Sequence, residues 1–118
     1  MTTTAFDLDA LRRAIETNDA DAQVAAYGDD AELTVVDSQH TPRNPQVLRG
    51  RAAIEEHIRD VVGRDMTHQV SDVVAGEGRI AFTEHCEYSD GTRVLCATVA
   101  DVADGRISRQ IAVQAWDA

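Results

Sequence analysis

Apolar positions recur at helical spacing in the first half of the chain and alternate in the second. Leu8, Leu11 and Ile15 fall at i, i+3 and i+7, with Thr4 placed to cap the run, Asp7 three residues on, and Asn18 at its end. Asp19 caps a second, shorter helix that runs through Tyr27, with Gly28 in the usual C-terminal position. Leu33-Thr34-Val35-Val36-Asp37 is β-branched and alternating, which predicts a strand. The stretch from Ser38 to Gln46 holds both prolines and reads as loop, followed by a brief strand at Val47 and Leu48. Gly50 opens a third helix whose apolar face is Ile54, Ile58 and Val61.

Beyond Gly63 four long strands follow: Thr67 to Ala75, Arg79 to Tyr88, Arg93 to Val102 and Arg106 to Trp116. They are separated by Gly76-Glu77-Gly78, Ser89-Asp90-Gly91-Thr92 and Asp104-Gly105, and Asp-Gly between alternating strands is a strong hairpin signal. Helices first and a strand meander afterwards predict an α+β domain, not a βαβ repeat. If Asp90-Gly91 is a two-residue loop, Ser89 faces Thr92, Glu87 faces Val94 and His85 faces Cys96. One face then carries His85, Glu87, Val94, Cys96 and Thr98. The other carries Phe82, Glu84, Cys86, Tyr88, Leu95 and Val99, and the two cysteines point to opposite sides. A three-residue loop with a bulge gives the alternative register. Both faces are partly apolar, so one covers the helices and the other meets a second sheet or a partner subunit.

Length and composition narrow the function. A chain of 118 residues is one domain's worth, and 21 acidic against 11 basic residues leave a formal charge of −10. That balance argues against a nucleic-acid surface or an anionic membrane as partner. Every basic residue is arginine, which excludes Schiff-base, pyridoxal-lysine and phosphate-loop-lysine chemistry. Two cysteines make neither a disulfide scaffold nor a four-thiolate zinc site, and the four histidines have no metal-ligand spacing, so no metal is expected. His40 reads as a surface loop residue, His57 as a helix-boundary residue, and His68 carries no signal. No secretory leader or apolar run of membrane-spanning length is evident, so the expected location is the cytoplasm.

The order helix, helix, strand, loop, helix, four strands resembles the nuclear-transport-factor-2-like superfamily, in particular its SnoaL-like branch. The local carriers are Tyr27-Gly28-Asp29-Asp30-Ala31, Leu48-Arg49-Gly50-Arg51-Ala52-Ala53-Ile54, and Asp104-Gly105-Arg106-Ile107 with Ala115-Trp116-Asp117. The resemblance covers nearly the whole chain and implies a single domain over 1–118. The implied fold is a cone: a curved mixed sheet wrapped around three helices, a cystatin-like α+β barrel with a pocket at its open end. Relatives include ketosteroid isomerases, polyketide cyclases, limonene-epoxide hydrolases and non-catalytic binding domains.

Carried over residue by residue, the resemblance puts Asp37 in the place of the isomerases' aspartate base. Their oxyanion-hole tyrosine falls on Leu11 and their second aspartate near Thr98. The Arg-x-Asp of the epoxide hydrolases falls on His85-Cys86-Glu87, and their last-strand aspartate on Ala112 or Gln114. The same comparison turns Val94, Cys96, Thr98, Gln110, Gln114 and Trp116 toward the pocket as substrate-contacting positions. The resulting expectation is cofactor-independent acid/base chemistry on an apolar small molecule, of isomerase, cyclase or epoxide-hydrolase type. Asp37 is the candidate base, its pKa raised by partial desolvation, and His85 with Glu87 orients substrate or returns the proton. The alternative is a ligand-binding or assembly domain of the same fold, favoured by the missing oxyanion-hole residues. A homodimer through the second apolar sheet face is expected in either case.

Overall fold

The computed structural model of the chain describes residues 6–117. Its elements are α1 (Leu8–Glu16), α2 (Ala20–Ala25), β1 (Tyr27–Val36), β2 (Gln46–Arg49), α3 (Arg51–Val62), β3 (Met66–Gly76), β4 (Arg79–Tyr88), β5 (Arg93–Ala103) and β6 (Arg106–Trp116). The strands form one curved sheet in the order β2-β1-β6-β5-β4-β3, with β1 parallel to β6 and every other pair antiparallel. The helices lie against one face, where Leu11 and Ile15 of α1 and Ile54 and Ile58 of α3 join Leu33, Val35, Val70, Phe82 and Ile107 in the core.

Local chemistry accounts for the element ends. Thr4 lies outside the described residues; Asp7 caps α1, its side chain accepting from the Ala10 N–H at 2.9 Å. Asp19 caps α2 as expected, accepting from the Ala22 N–H. That helix stops at Ala25, before Tyr27, because Tyr27 is needed elsewhere: it begins β1, pairs with Ile107 and is buried. β3 forms the sheet's far edge. Its Val70 N–H points off that edge and is met by the Glu16 carboxylate at 2.9 Å, tying α1 to the rim of the cone. An extra residue in β3 between Ser71 and Val74 adds a bulge there, with Asp72 at φ +54 and its carboxylate accepting from the Thr83 hydroxyl.

The β4–β5 hairpin corrects the two-residue-loop register. Tyr88 pairs with Thr92, its N–H donating to the Thr92 carbonyl at 2.9 Å, so the loop is Ser89-Asp90-Gly91. Gly91 sits at φ +90, the left-handed third position of a bulged three-residue loop, which a side chain there would resist. The register is Glu84 opposite Cys96, His85 opposite Leu95, and Glu87 opposite Arg93. Because side chains alternate, this one-residue slip reverses every β4 side chain relative to β5. Ile80, Phe82, Glu84 and Cys86 therefore share the inner face with Val94, Cys96 and Thr98. Cys86 and Cys96, read as pointing apart, are on the same face, buried and free.

Candidate functional site

The cone holds an inner chamber of ≈ 110 Å³ that opens into a mouth of ≈ 500 Å³. Leu11, Ile15 and Ile58 wall the chamber from the helices; Leu33, Val35, Phe82 and Ala112 wall it from the sheet. His57, His68, Glu84, Cys96 and Gln114 line both chamber and mouth and so form the throat between them. The mouth is ringed by Asp37, His40, Asp60, Arg64, Tyr88 and Trp116.

Glu84 is the unusual residue. This half-buried side chain is the one charge in the inner row of β4, beside Phe82 and Cys86, and desolvation pushes its pKa up to about 7. No hydrogen bond or ion pair to that carboxyl is present among the described residues, so nothing offsets the burial. A group poised there exists in both protonation states near neutral pH, as a general acid/base requires. Burial first, and the nearby Glu84 second, push the Cys86 and Cys96 thiols up to about 12 and raise the Tyr27 hydroxyl above its usual range. The thiols therefore stay protonated. Cys86 Sγ lies 3.2 Å from His68 Nδ1, to which its S–H can donate.

Three polar side chains line the chamber with this acid, and hydrogen bonds orient two of them. The buried Tyr27 hydroxyl donates to Gln110 Oε1, leaving the Gln110 Nε2 protons for the chamber. Trp116 Nε1–H can only donate, and it meets Gln114 Oε1 at 3.0 Å, so Gln114 likewise presents its Nε2 protons. Thr98 is buried with its hydroxyl 3.8 Å from Cys96 Sγ. Two amide donors, one hydroxyl and one titrating carboxyl can bind a carbonyl or epoxide oxygen and move a proton beside it.

The expected site residues divide in two. Cys96, Thr98, Gln110 and Gln114 line the chamber, Val94 and Trp116 the mouth, as the β5 and β6 phases implied. Asp37 is also at the mouth, but its expected raised pKa is corrected. Burial opposes its ionisation, yet the Gln39 and His40 N–H groups at 2.9 and 2.7 Å, with the His40 ring at 3.0 Å, outweigh burial and hold it below the ordinary value. His85 and Glu87 do not join it. The hairpin register turns both to the outer face, where they are exposed and Glu87 accepts from Arg93 Nε at 3.1 Å. The residues that sequence reasoning missed are Glu84, Tyr27, His57 and His68. Burial holds both histidines below their ordinary pKa, Arg64 adding to the effect at His57. Among the described residues no three His, Cys, Asp or Glu are grouped to hold a metal ion, and no helix is long and apolar enough to cross a membrane.

A cone of this topology with a pocket at its open end defines an α+β fold of the nuclear-transport-factor-2-like class. The chain belongs to the SnoaL-like family, whose domain model matches residues 8–110. No curated protein sequence matches it. Among solved structures it is similar to an NTF2-like protein of unknown function from Mesorhizobium loti, with a TM-score of 0.78 and 14% identity over 92% of this chain and 87% of that one. A candidate ketosteroid isomerase from Kribbella flavida gives 0.75 and 16% over 93% and 74%. An LEH-like epoxide hydrolase from M. tuberculosis gives 0.66 and 21% over 93% and 79%. Identities this low establish the shared fold and leave the chemistry to the site.

Proposed function

We propose that this protein takes an apolar small molecule into the chamber and transforms it by cofactor-independent acid/base chemistry of the isomerase, cyclase or epoxide-hydrolase type. Glu84 carries the proton. Gln110, Gln114 and Thr98 donate to the oxygen on which charge develops, where one well-placed donor is worth about 3 kcal/mol. The observation that carries this reading is a lone carboxyl raised to about 7 beside oriented amide donors. Asp37, ionised and locked to its loop, serves the mouth by holding His40 in place. His85 and Glu87 have no part in a reaction inside the chamber.

The test is a panel of small unsaturated ketones and epoxides, followed by absorbance and product analysis. For any compound turned over, kcat/KM should show an inflection near pH 7, and Glu84→Gln should lose about a hundredfold or more in rate with affinity retained. Undiminished turnover in that variant would remove Glu84 from the mechanism. A second reading, a ligand-binding or assembly domain, is favoured by one observation: no second carboxylate lines the chamber among the described residues. Binding without turnover across the panel would support it. Under either reading we propose a homodimer through the outer sheet face, where Leu95, Val99 and Val113 are exposed together.

A further inference from the structure

Glu84 is the only carboxyl in the chamber, and no arginine lines the chamber among the described residues. A desolvated carboxylate to which no protein cation is paired and no donor hydrogen-bonded among the described residues is complementary to a ligand that brings both. We propose that the chamber binds hydrophobic primary amines, the ammonium on Glu84 and the hydrocarbon against Leu33, Val35, Ile58 and Phe82. This goes beyond the acid/base reading and shares with it only the placement of Glu84 in the chamber.

An ammonium has three donors, and the chamber has acceptors for them. The Glu84 carboxylate supplies the charge. Tyr27 has committed its proton to Gln110, which leaves its hydroxyl oxygen as an acceptor, and Thr98 offers another. The unfavourable desolvation of the carboxylate is already borne by the fold, so an arriving cation regains Coulomb energy without that part of the usual burial cost. The approach favours cations as well. The chain carries a formal charge of −10. Asp37, Asp60 and Asp117 line the mouth, and its one arginine, Arg64, is already held by Asp60 at 2.6 Å and by the Tyr88 hydroxyl.

The pH dependence has a definite sign. The complex needs Glu84 ionised, so affinity rises with pH toward and through neutrality. It falls again only where the amine itself loses its proton, at about 10. The other groups facing Glu84 do not reverse this. Cys86 beside it on β4, Cys96 on β5 and Tyr27 on β1 stay protonated, while His57 on α3 and His68 on β3 gain repulsive charge only on acidification.

Calorimetry with n-hexylamine, n-hexanol and hexanoate tests the proposal on the intact protein. At pH 8 hexylamine should bind at least tenfold more tightly than hexanol, with hexanoate weakest. From pH 8 to pH 5 hexylamine affinity should fall about a hundredfold, one decade per unit below Glu84's titration, while hexanol stays unchanged. In Glu84→Gln the preference of amine over alcohol should disappear. Hexanol binding as tightly as hexylamine at pH 8, a pH-independent amine affinity, or no binding of any of the three at millimolar concentration would overturn the proposal. The pH series on the unaltered protein keeps the test valid whatever the variant does to folding. Glu84→Gln losing turnover without any amine preference in the parent protein would overturn this inference and leave the acid/base reading standing. A Glu84 carboxyl titrating by NMR in the ordinary carboxylate range would overturn both.

Discussion

Replacing Glu84 with glutamine should stabilise the protein above neutral pH and leave it nearly unchanged in acid. The glutamate pKa is about 7 in the folded chain against an ordinary 4.5. Between those values the folded state binds more protons than the unfolded state, so wild-type stability falls as pH rises through that window. At 1.36 kcal/mol per unit, the shift corresponds to about 3 kcal/mol by pH 8. This is an upper figure, since water reaches the chamber through the throat. Glutamine is nearly isosteric and does not ionise, so it escapes the loss. Protonation of His57 and His68 destabilises the fold as pH falls through the ordinary histidine value, because their folded pKa values are depressed. Both are present in either protein and cancel in the difference. Denaturant unfolding of the two proteins at pH 4.5 and pH 8 reads the effect directly: the variant's advantage should grow by 2–3 kcal/mol, roughly, between the two conditions. An advantage that does not change with pH would refute the burial of an unpartnered carboxyl at this position.

Leu95, 45% exposed on the outer face beside Val99 and Val113, is the position at which a charge should break the proposed dimer. Leu95→Asp loses about 1.5–3 kcal/mol of apolar burial and adds a desolvated charge, so sedimentation should show at least a tenfold weaker dimer; a parent protein that sediments only as a monomer at micromolar concentration defeats the expectation. Gly91→Ala should cost about 1 kcal/mol and lower the thermal midpoint by a few degrees. An added Cβ meets no atom within 4 Å, so only the positive φ resists it, and an unchanged midpoint would mean that the bulged turn, and with it the β4 register, is misplaced.

The part of this molecule that alternation alone specifies was legible in the sequence. The four long strands, the three helices and the inward phase of Cys96, Thr98, Gln110 and Gln114 follow from periodicity and turn residues. What failed was decided by single residues. Asp-Gly suits both a two-residue loop and a bulged three-residue loop, and choosing the first turned His85 and Glu87 inward in place of Glu84. A signal for the correct phase was present. Ile80, Phe82 and Cys86 make one side of β4 markedly more apolar than Ala81, Thr83, His85 and Glu87, and Glu84 is the single charge in the apolar row. A carboxyl interrupting a core-facing row is costly unless used, which marks it as a candidate functional residue. Tyr27 was obscured differently. Gly28 mimics a helix end, and only the pairing of Tyr27 with Ile107, far along the chain, draws it into a strand.

Asp37 at the mouth and Glu84 in the chamber are separated in behaviour by their surroundings. Asp37 accepts two backbone N–H groups and meets a histidine ring at the rim, all through Oδ1, and these interactions favour its charged form. Glu84, deeper in, accepts none and is held between charged and neutral by the loss of water. The same residue chemistry thus yields a permanent anion where ligands enter and a titrating acid where they come to rest. If Asp37 were the base, the three contacts on its Oδ1, which hold its pKa down, would make it a weaker proton acceptor than a carboxyl without them. Glu84 has no such contacts, and the amides of Gln110 and Gln114 have their oxygens already engaged and their N–H groups available. The direction of proton transfer in the chamber is then set by the bound molecule. A ligand that develops negative charge on oxygen is met by the amides while Glu84 takes its proton, and a ligand that arrives protonated holds Glu84 in its ionised form and stops the exchange. On this reasoning an amine is both a ligand and an inhibitor of any reaction run here, and its inhibition should strengthen as pH rises toward 8.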